Sequence, residues 1–202
     1  MVTLEGQWWR QTAPRYEALS LPHRAKRGGR CHRRGKEARL YASSTRNTAW
    51  GELFRHTSPE VSPFEVKRRM SGLRVTGLPV VDFLDPETRA LFDVSERALI
   101  SNNTGFSRKI TDRLRQRPDR FGGLILPSAA SPGEETLVVF REWIGPHVFV
   151  EASHISTPPL RLLRLLESVI ESLPPSARTP ARQTLLEVRR ELVARLDALG
   201  GR

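Results

Sequence analysis

Apolar runs of strand period and of helical period alternate along the first three quarters of this chain without regular spacing, and that irregularity constrains the fold most. A doubly wound parallel sheet needs evenly repeated strand–helix units, so the pattern predicts an α+β domain instead. Leu40-Tyr41-Ala42 reads as a short strand. Hydroxyl residues from Ser43 onward offer N-caps for a helix expected over about Arg46 to His56, and Pro59 and Pro63 prevent its continuation. Phe64-Glu65-Val66 and Leu73-Arg74-Val75 alternate as strands do. Short helical turns are expected from Asp85-Pro86 to Phe92 and from Ser95 to Leu99, and a longer helix from about Thr104 to Arg117, ended by Pro118. The run from Gly122 to Pro127 reads as a buried strand, Ser131-Pro132-Gly133-Glu134 as a turn, and Thr136 to Phe140 as a second apolar strand. Residues up to about Lys36 are polar and rich in turn formers, which predicts mostly loop with short strands, anchored by Trp8 and Trp9.

From about residue 157 the pattern changes. Thr157-Pro158 and Thr179-Pro180 each place an N-cap candidate before a first-turn proline. Leu162, Leu163, Leu166, Val169, Ile170 and Leu173 make one apolar helical stripe; Leu185, Val188, Leu192, Leu196 and Leu199 make another. The expectation is a domain over residues 1–155 and an antiparallel helical hairpin over 156–202, packed on or beside it.

The net charge is +11, and its placement matters more than its total. Residues 1–46 hold 11 Lys/Arg against 3 Asp/Glu, a net of +8, which favours phosphate-bearing or acidic partners. Cys31 is the single cysteine, which excludes an internal disulfide and a multi-cysteine zinc site. The histidines lack regular metal spacing, and no metal is assigned. Neither a GxGxxG nor a P-loop signature is present, so a Rossmann-type nucleotide site is not expected. No signal-peptide core and no apolar run of roughly 20 residues occurs, so a soluble, cytoplasmic protein is expected.

One ordered set of residues stands out. Gly28-Gly29-Arg30-Cys31-His32 is followed by Tyr41, then by Thr48-Ala49-Trp50-Gly51-Glu52, and much later by Pro127-Ser128-Ala129-Ala130 with Pro132-Gly133-Glu134. Over roughly residues 7–142 this resembles the RES family, named for its Arg, Glu and Ser. The resemblance implies an ADP-ribosyltransferase-like core of small packed sheets with short helices. It also implies a bacterial toxin that consumes NAD by phosphorolysis or hydrolysis, restrained by a cognate Xre-type antitoxin. One departure is visible: where many relatives carry an aromatic and then an amide residue after the arginine, this chain has Cys31 and His32.

The residue types suit that chemistry. Cleaving the nicotinamide–ribose bond builds an oxocarbenium-like cation, which a fixed carboxylate stabilises; Glu52 is assigned that role. Arg30 offers a planar fork of donors to the dinucleotide's pyrophosphate or ribose oxygens. Tyr41 can present its ring face to the cationic nicotinamide. Ser128, just past a strand end, is placed to hydrogen-bond Glu52 or the ribose and to hold the reactive geometry. Each residue alone has an ordinary reading, as a solvated charge, an exposed helical glutamate, a rim aromatic or a turn cap.

Three other functions remain open at this point, one of them a degenerate relative that binds NAD or a partner without turnover, given Cys31 and His32. A mono-ADP-ribosyltransferase acting on a protein would use the same residues for the same cation. A non-catalytic basic protein could lay residues 10–46 on nucleic acid, although that segment is poor in stacking aromatics. The expected partners are NAD as substrate, inorganic phosphate, an Xre-type antitoxin and, through the hairpin's apolar faces, a second copy in a homo-dimer. Nucleic acid is reached only through the antitoxin, and no membrane is involved.

Overall fold

Strand β1, Val2–Thr12, pairs antiparallel with the 15-residue strand β3, Arg68–Asp82, from Val2 opposite Val80 to Thr12 opposite Arg69. The register slips between Leu4 and Gly6, and Gly6 takes a φ of 133° that a side chain would resist. This corrects the expectation of mostly loop with short strands, since one strand of 11 residues runs from Val2 to Thr12. Two of the inward positions of β1 beside Trp8 hold Arg10 and Thr12, so no apolar alternation announces the strand. Arg10 is nonetheless buried, and its Nη2 donates to the Ser20 carbonyl at 2.7 Å. The structure is a computed structural model that describes residues 1–21, 29–35, 38–55, 66–101, 103–116 and 120–156.

Four further strands complete one sheet. β2 (Leu40–Ser43) and β4 (Gly123–Pro127) both pair antiparallel with β5 (Glu135–Val139). β6 (Val148–Ser156) lies antiparallel to β3. The order is β1-β2-β5-β4-β3-β6, with an added β1–β3 pairing that closes five strands into a ring. The sheet has two antiparallel halves, β6-β3-β1 and β2-β5-β4, with β6 outside the ring. Only the pair Trp9–Ser43 joins them on one side, and three parallel pairs from Val80–Gly123 to Asp82–Ile125 join them on the other.

The helices are short and locally capped. α1 (Arg46–Phe54) starts at Thr45, whose hydroxyl accepts the Thr48 amide at 3.1 Å. α2 (Pro86–Leu91) and α3 (Glu96–Ile100) start at Asp85 and Ser95, and α4 spans Gly105–Leu114. A 3-10 turn at Arg141–Trp143 leads into α5 (Ile144–His147). The mixed α+β architecture matches the expectation. β6 adds a strand that the sequence pattern does not predict, because nearly all its residues are exposed and carry no core pattern. Val66 is described outside any strand, whereas His56, Phe64, Glu65, Arg117 and Pro118 lie outside the described residues, as does the expected hairpin over 157–202. Among the described residues no helix is long and apolar enough to cross a membrane.

Strand alternation sorts the core into two faces. Leu40, Leu73, Val75, Val80, Ile125, Leu137 and Val139 fill the ring with Trp8. Val81, Leu124, Leu126, Val138 and Phe140 point the other way, onto Leu99 of α3 and Ile110 and Leu114 of α4. β4 is therefore covered on both sides, which is why every one of its residues is buried. Truncating Leu124 to alanine removes about 2–5 kcal/mol of stability by the usual cost of a core cavity. Trp50 and Phe54 seat α1 on Met70, with Trp9 beside them.

Candidate active site

Glu52 and Ser128, 76 positions apart in the chain, meet in the fold. The Ser128 hydroxyl donates to Glu52 Oε1 at 2.9 Å. Ser128 comes directly after the last residue of β4, where proline ends the strand, and its Oγ accepts the Ala130 and Ser131 amides at 3.2 Å each. With two amides on its oxygen, the single hydroxyl hydrogen is left for the carboxylate. Thr136 of β5 adds a longer contact, its Oγ1 lying 3.5 Å from the same Glu52 oxygen. Glu52 sits on α1, which begins three residues after β2 ends, so β2 and β4 bring the pair together through their shared neighbour β5.

Arg30 approaches from the turn before β2. Its Nη1 lies 3.5 Å from the carbonyl of Pro127, next to Ser128. Its Nε and Nη2 are buried with no partner. Buried guanidinium donors left unused carry a desolvation cost, and an anionic or oxygen-rich ligand would remove it. Gly29 makes this turn close: a Cβ there would lie 2.5 Å from His32 Cε1 and 2.9 Å from the Tyr41 hydroxyl.

Tyr41 locks the same turn. Its hydroxyl accepts the Cys31 amide at 2.9 Å and lies 3.1 Å from His32 Nδ1. Cys31 and His32 stand on a turn closed by a Gly29–His32 bridge, and both are buried. The Cys31 side chain joins the core beneath α4, while the His32 ring faces Tyr41. Burial pushes the Cys31 thiol up from its ordinary value, against smaller opposing effects from Arg30, Thr111, Arg39 and Tyr41. A thiol held protonated in this way is a poor nucleophile.

Glu52 and Ser128 thus meet at the end of β4, with Arg30 reaching the neighbouring Pro127, whereas Tyr41 stands within β2 and is joined to them through the arginine turn. Three further neighbours receive no role from the sequence. Arg55, three positions after Glu52, donates from Nη2 to the Ile100 carbonyl at 3.2 Å. Burial lowers its pKa, the Glu52 carboxylate opposes that, and the positive charge of Arg30 adds to it, so the three charges share one field. Its i, i+3 spacing from Glu52 is a usable signal. Ser44 and Glu134 are hydrogen-bonded at 2.6 Å across 90 positions; Glu134 stands in the ordered set that the sequence offers, without a role, and Ser44 gives no signal. Among the described residues no three His, Cys, Asp or Glu side chains gather as a metal-ligand set.

Comparison with known proteins points in one direction. The family model for the RES domain matches residues 7–164. A protein of Mycobacterium tuberculosis named as a probable NAD(+) phosphorylase is 37% identical over 179 residues, covering 87% of this chain and 84% of that relative. The crystal structure of the M. tuberculosis MbcT–MbcA toxin–antitoxin complex contains a chain that superposes with a TM-score of 0.67. Sequence identity there is 18%, and the match covers 81% of this chain and 90% of the other.

Proposed function

Because the chain belongs to the RES domain family, we propose that it breaks the nicotinamide–ribose bond of NAD, as an NAD phosphorylase or glycohydrolase. The observation that carries this reading is the 2.9 Å bond from Ser128 to Glu52, beside an arginine with two unused buried donors. The name of the 37% identical relative supports the same substrate.

In this reading NAD is a substrate, and the chain supplies orientation and charge. Arg30 takes pyrophosphate or ribose oxygens on Nε and Nη2. The Tyr41 ring lies under the nicotinamide. As the C–N bond breaks, neutral nicotinamide leaves with the bonding pair, and the ribose carbon becomes cationic. The Glu52 carboxylate, held by Ser128, stabilises that cation, and an oxygen of inorganic phosphate or of water then bonds to the carbon. Catalysis is chiefly preorganised electrostatics, so Glu52 contributes the largest share.

The finer fold reading, an ADP-ribosyltransferase-like core, is supported by the two antiparallel halves with the site at the strand ends. The catalytic unit is taken to end with β6 at about residue 155, and 156–202 to be a helical extension. A growth-arresting toxin neutralised by an Xre-type antitoxin in the cytoplasm is the biological setting we propose. The toxin–antitoxin complex among the similar folds is in line with it.

The test is nicotinamide release from NAD by the purified protein, with and without inorganic phosphate. Release is expected, with a phosphorylated ADP-ribose product formed only when phosphate is present if the acceptor is phosphate. No release in either buffer would overturn the reading.

A further inference from the structure

We infer that Ser44 is a positioning residue that, through Glu134, sets the geometry of Ser128 against Glu52. The inference rests on the roles proposed above for that pair. Ser44 stands at the junction of β2 and α1, and its hydroxyl has three contacts, the longest being 3.4 Å to the Glu135 carbonyl. It donates to Glu134 Oε2 at 2.6 Å and accepts the Glu135 amide at 3.0 Å. The Ser44 amide in turn donates to the Glu135 carbonyl at 3.1 Å.

Glu134 is the closing residue of the loop that carries Ser128. Its carbonyl accepts the Ser128 amide at 2.7 Å, and its own amide donates to the Ser131 carbonyl at 3.1 Å. The loop is therefore a small ring of hydrogen bonds with Ser128 at one end and Glu134 at the other. Ser44 holds that ring by its carboxylate. The short donor–acceptor distance is that of a charge-assisted bond, the stronger kind.

The next residue, Thr45, is the N-cap of α1, so the helix that carries Glu52 starts at the very point from which the serine loop hangs. Two consecutive residues thus fix both ends of the Ser128–Glu52 contact. If the Ser44 hydroxyl is removed, the helix keeps its cap and the Ser44 amide keeps the Glu135 carbonyl, but the loop loses its side-chain tie to the helix start. The loop and the helix then shift against each other, and the distance from the Ser128 hydroxyl to the Glu52 carboxylate is no longer fixed.

The test uses the full-length protein with Ser44→Ala, Glu134→Gln and Ser44→Thr. At matched concentrations of folded protein, the first two should lower kcat about tenfold with KM for NAD within about twofold, the pattern for misplaced but intact reacting groups. Ser44→Thr keeps the hydroxyl and should restore kcat. If Ser44 acts through Ser128, the double variant Ser44→Ala/Ser128→Ala is no slower than Ser128→Ala alone. Unchanged kcat in Ser44→Ala, or losses that multiply in the double variant, overturn the inference. Hydrogen exchange decides it independently of turnover: the amides of residues 128–135 should exchange about tenfold faster in Ser44→Ala while those of β3 keep their protection. Unchanged exchange there overturns it too. A wild-type protein that releases no nicotinamide overturns the functional reading alone, and the exchange result still stands on its own.

Discussion

Replacing Glu52 by glutamine separates the charge of this side chain from its shape. Glutamine keeps an oxygen where Glu52 Oε1 accepts the Ser128 hydroxyl at 2.9 Å, so that bond survives with a neutral acceptor. Hydrogen bonds to charged groups contribute about 1.5–3 kcal/mol and neutral ones about 0.5–1.5, so roughly 1 kcal/mol is lost there. Arg55 also loses the counter-charge of Glu52, a part-exposed effect that screening keeps to about 1 kcal/mol or less. A chain of this size shifts its Tm by about 2–4 °C per kcal/mol, so Glu52→Gln should melt about 2–8 °C lower with its cooperativity intact. The rate should fall much further. Removing one preorganised group opposite a developing charge costs about 10²–10³ in kcat. The assay is nicotinamide release under saturating NAD, well below either melting temperature, at equal concentrations of folded protein. A variant that turns over at more than a tenth of the wild-type rate would refute the placement of Glu52 at the ribose cation. A variant that melts more than about 15 °C lower would show the carboxylate to be chiefly structural.

Arg30→Met should bind NAD at least about tenfold more weakly while melting no lower than wild type, because it removes buried donors that have no partner; calorimetric binding and a thermal melt check both halves. Gly29→Ala should raise KM about tenfold or more, since the new methyl group collides with the buried His32 and with the Tyr41 hydroxyl that orders the arginine turn. Cys31 should resist alkylation in the native state and react only on unfolding, as mass spectrometry of iodoacetamide-treated protein would show. Its raised pKa means that the folded state keeps a proton the unfolded chain loses. Stability should therefore be level below the ordinary thiol value of 9.0 and fall as pH rises above it, a fall that Cys31→Ala should lack. Glu135 is raised by burial and by the negative charges of Asp82 and Glu134, so its penalty is absent below the ordinary value of 4.5 and grows as pH rises. Glu135→Gln should accordingly raise Tm at pH 7 and lose that gain as pH falls towards 4.5.

The elements legible in the sequence are those whose signals are local. α1 is readable because Thr45 and Thr48 supply a cap within four residues, and α2 because Asp85-Pro86 does the same. β4 and β5 are readable because both their faces are covered and both are therefore apolar. β1 and β6 are not. The inner face of β1 carries Arg10 and Thr12, and β6 covers its neighbour while leaving most of its own residues exposed. Such strands are held by main-chain pairing with β3 rather than by a burial pattern, and pairing leaves no periodic mark.

The site divides along the same line. Arg30, Tyr41, Glu52 and Ser128 can be picked out as an ordered set, but nothing local says that they meet. What brings them together is the register of β5. Tyr41 lies opposite Val138 and Ser43 opposite Thr136, so Tyr41 and Thr136 share one face of the sheet with Val138. On β4, Pro127 lies opposite Glu135, which places Ser128 just beyond the end of the pairing, beside Thr136 and Glu52. A slip of one residue on β5 would turn Leu137 and Val139 out of the ring and carry Thr136 away from Glu52. The apolar cost of that slip is large, because Leu137 and Val139 are fully buried inside the ring and Val138 is fully buried beneath the helices. The same packing that makes β5 an unremarkable core strand therefore holds the serine of one neighbouring strand against the glutamate of the helix after the other.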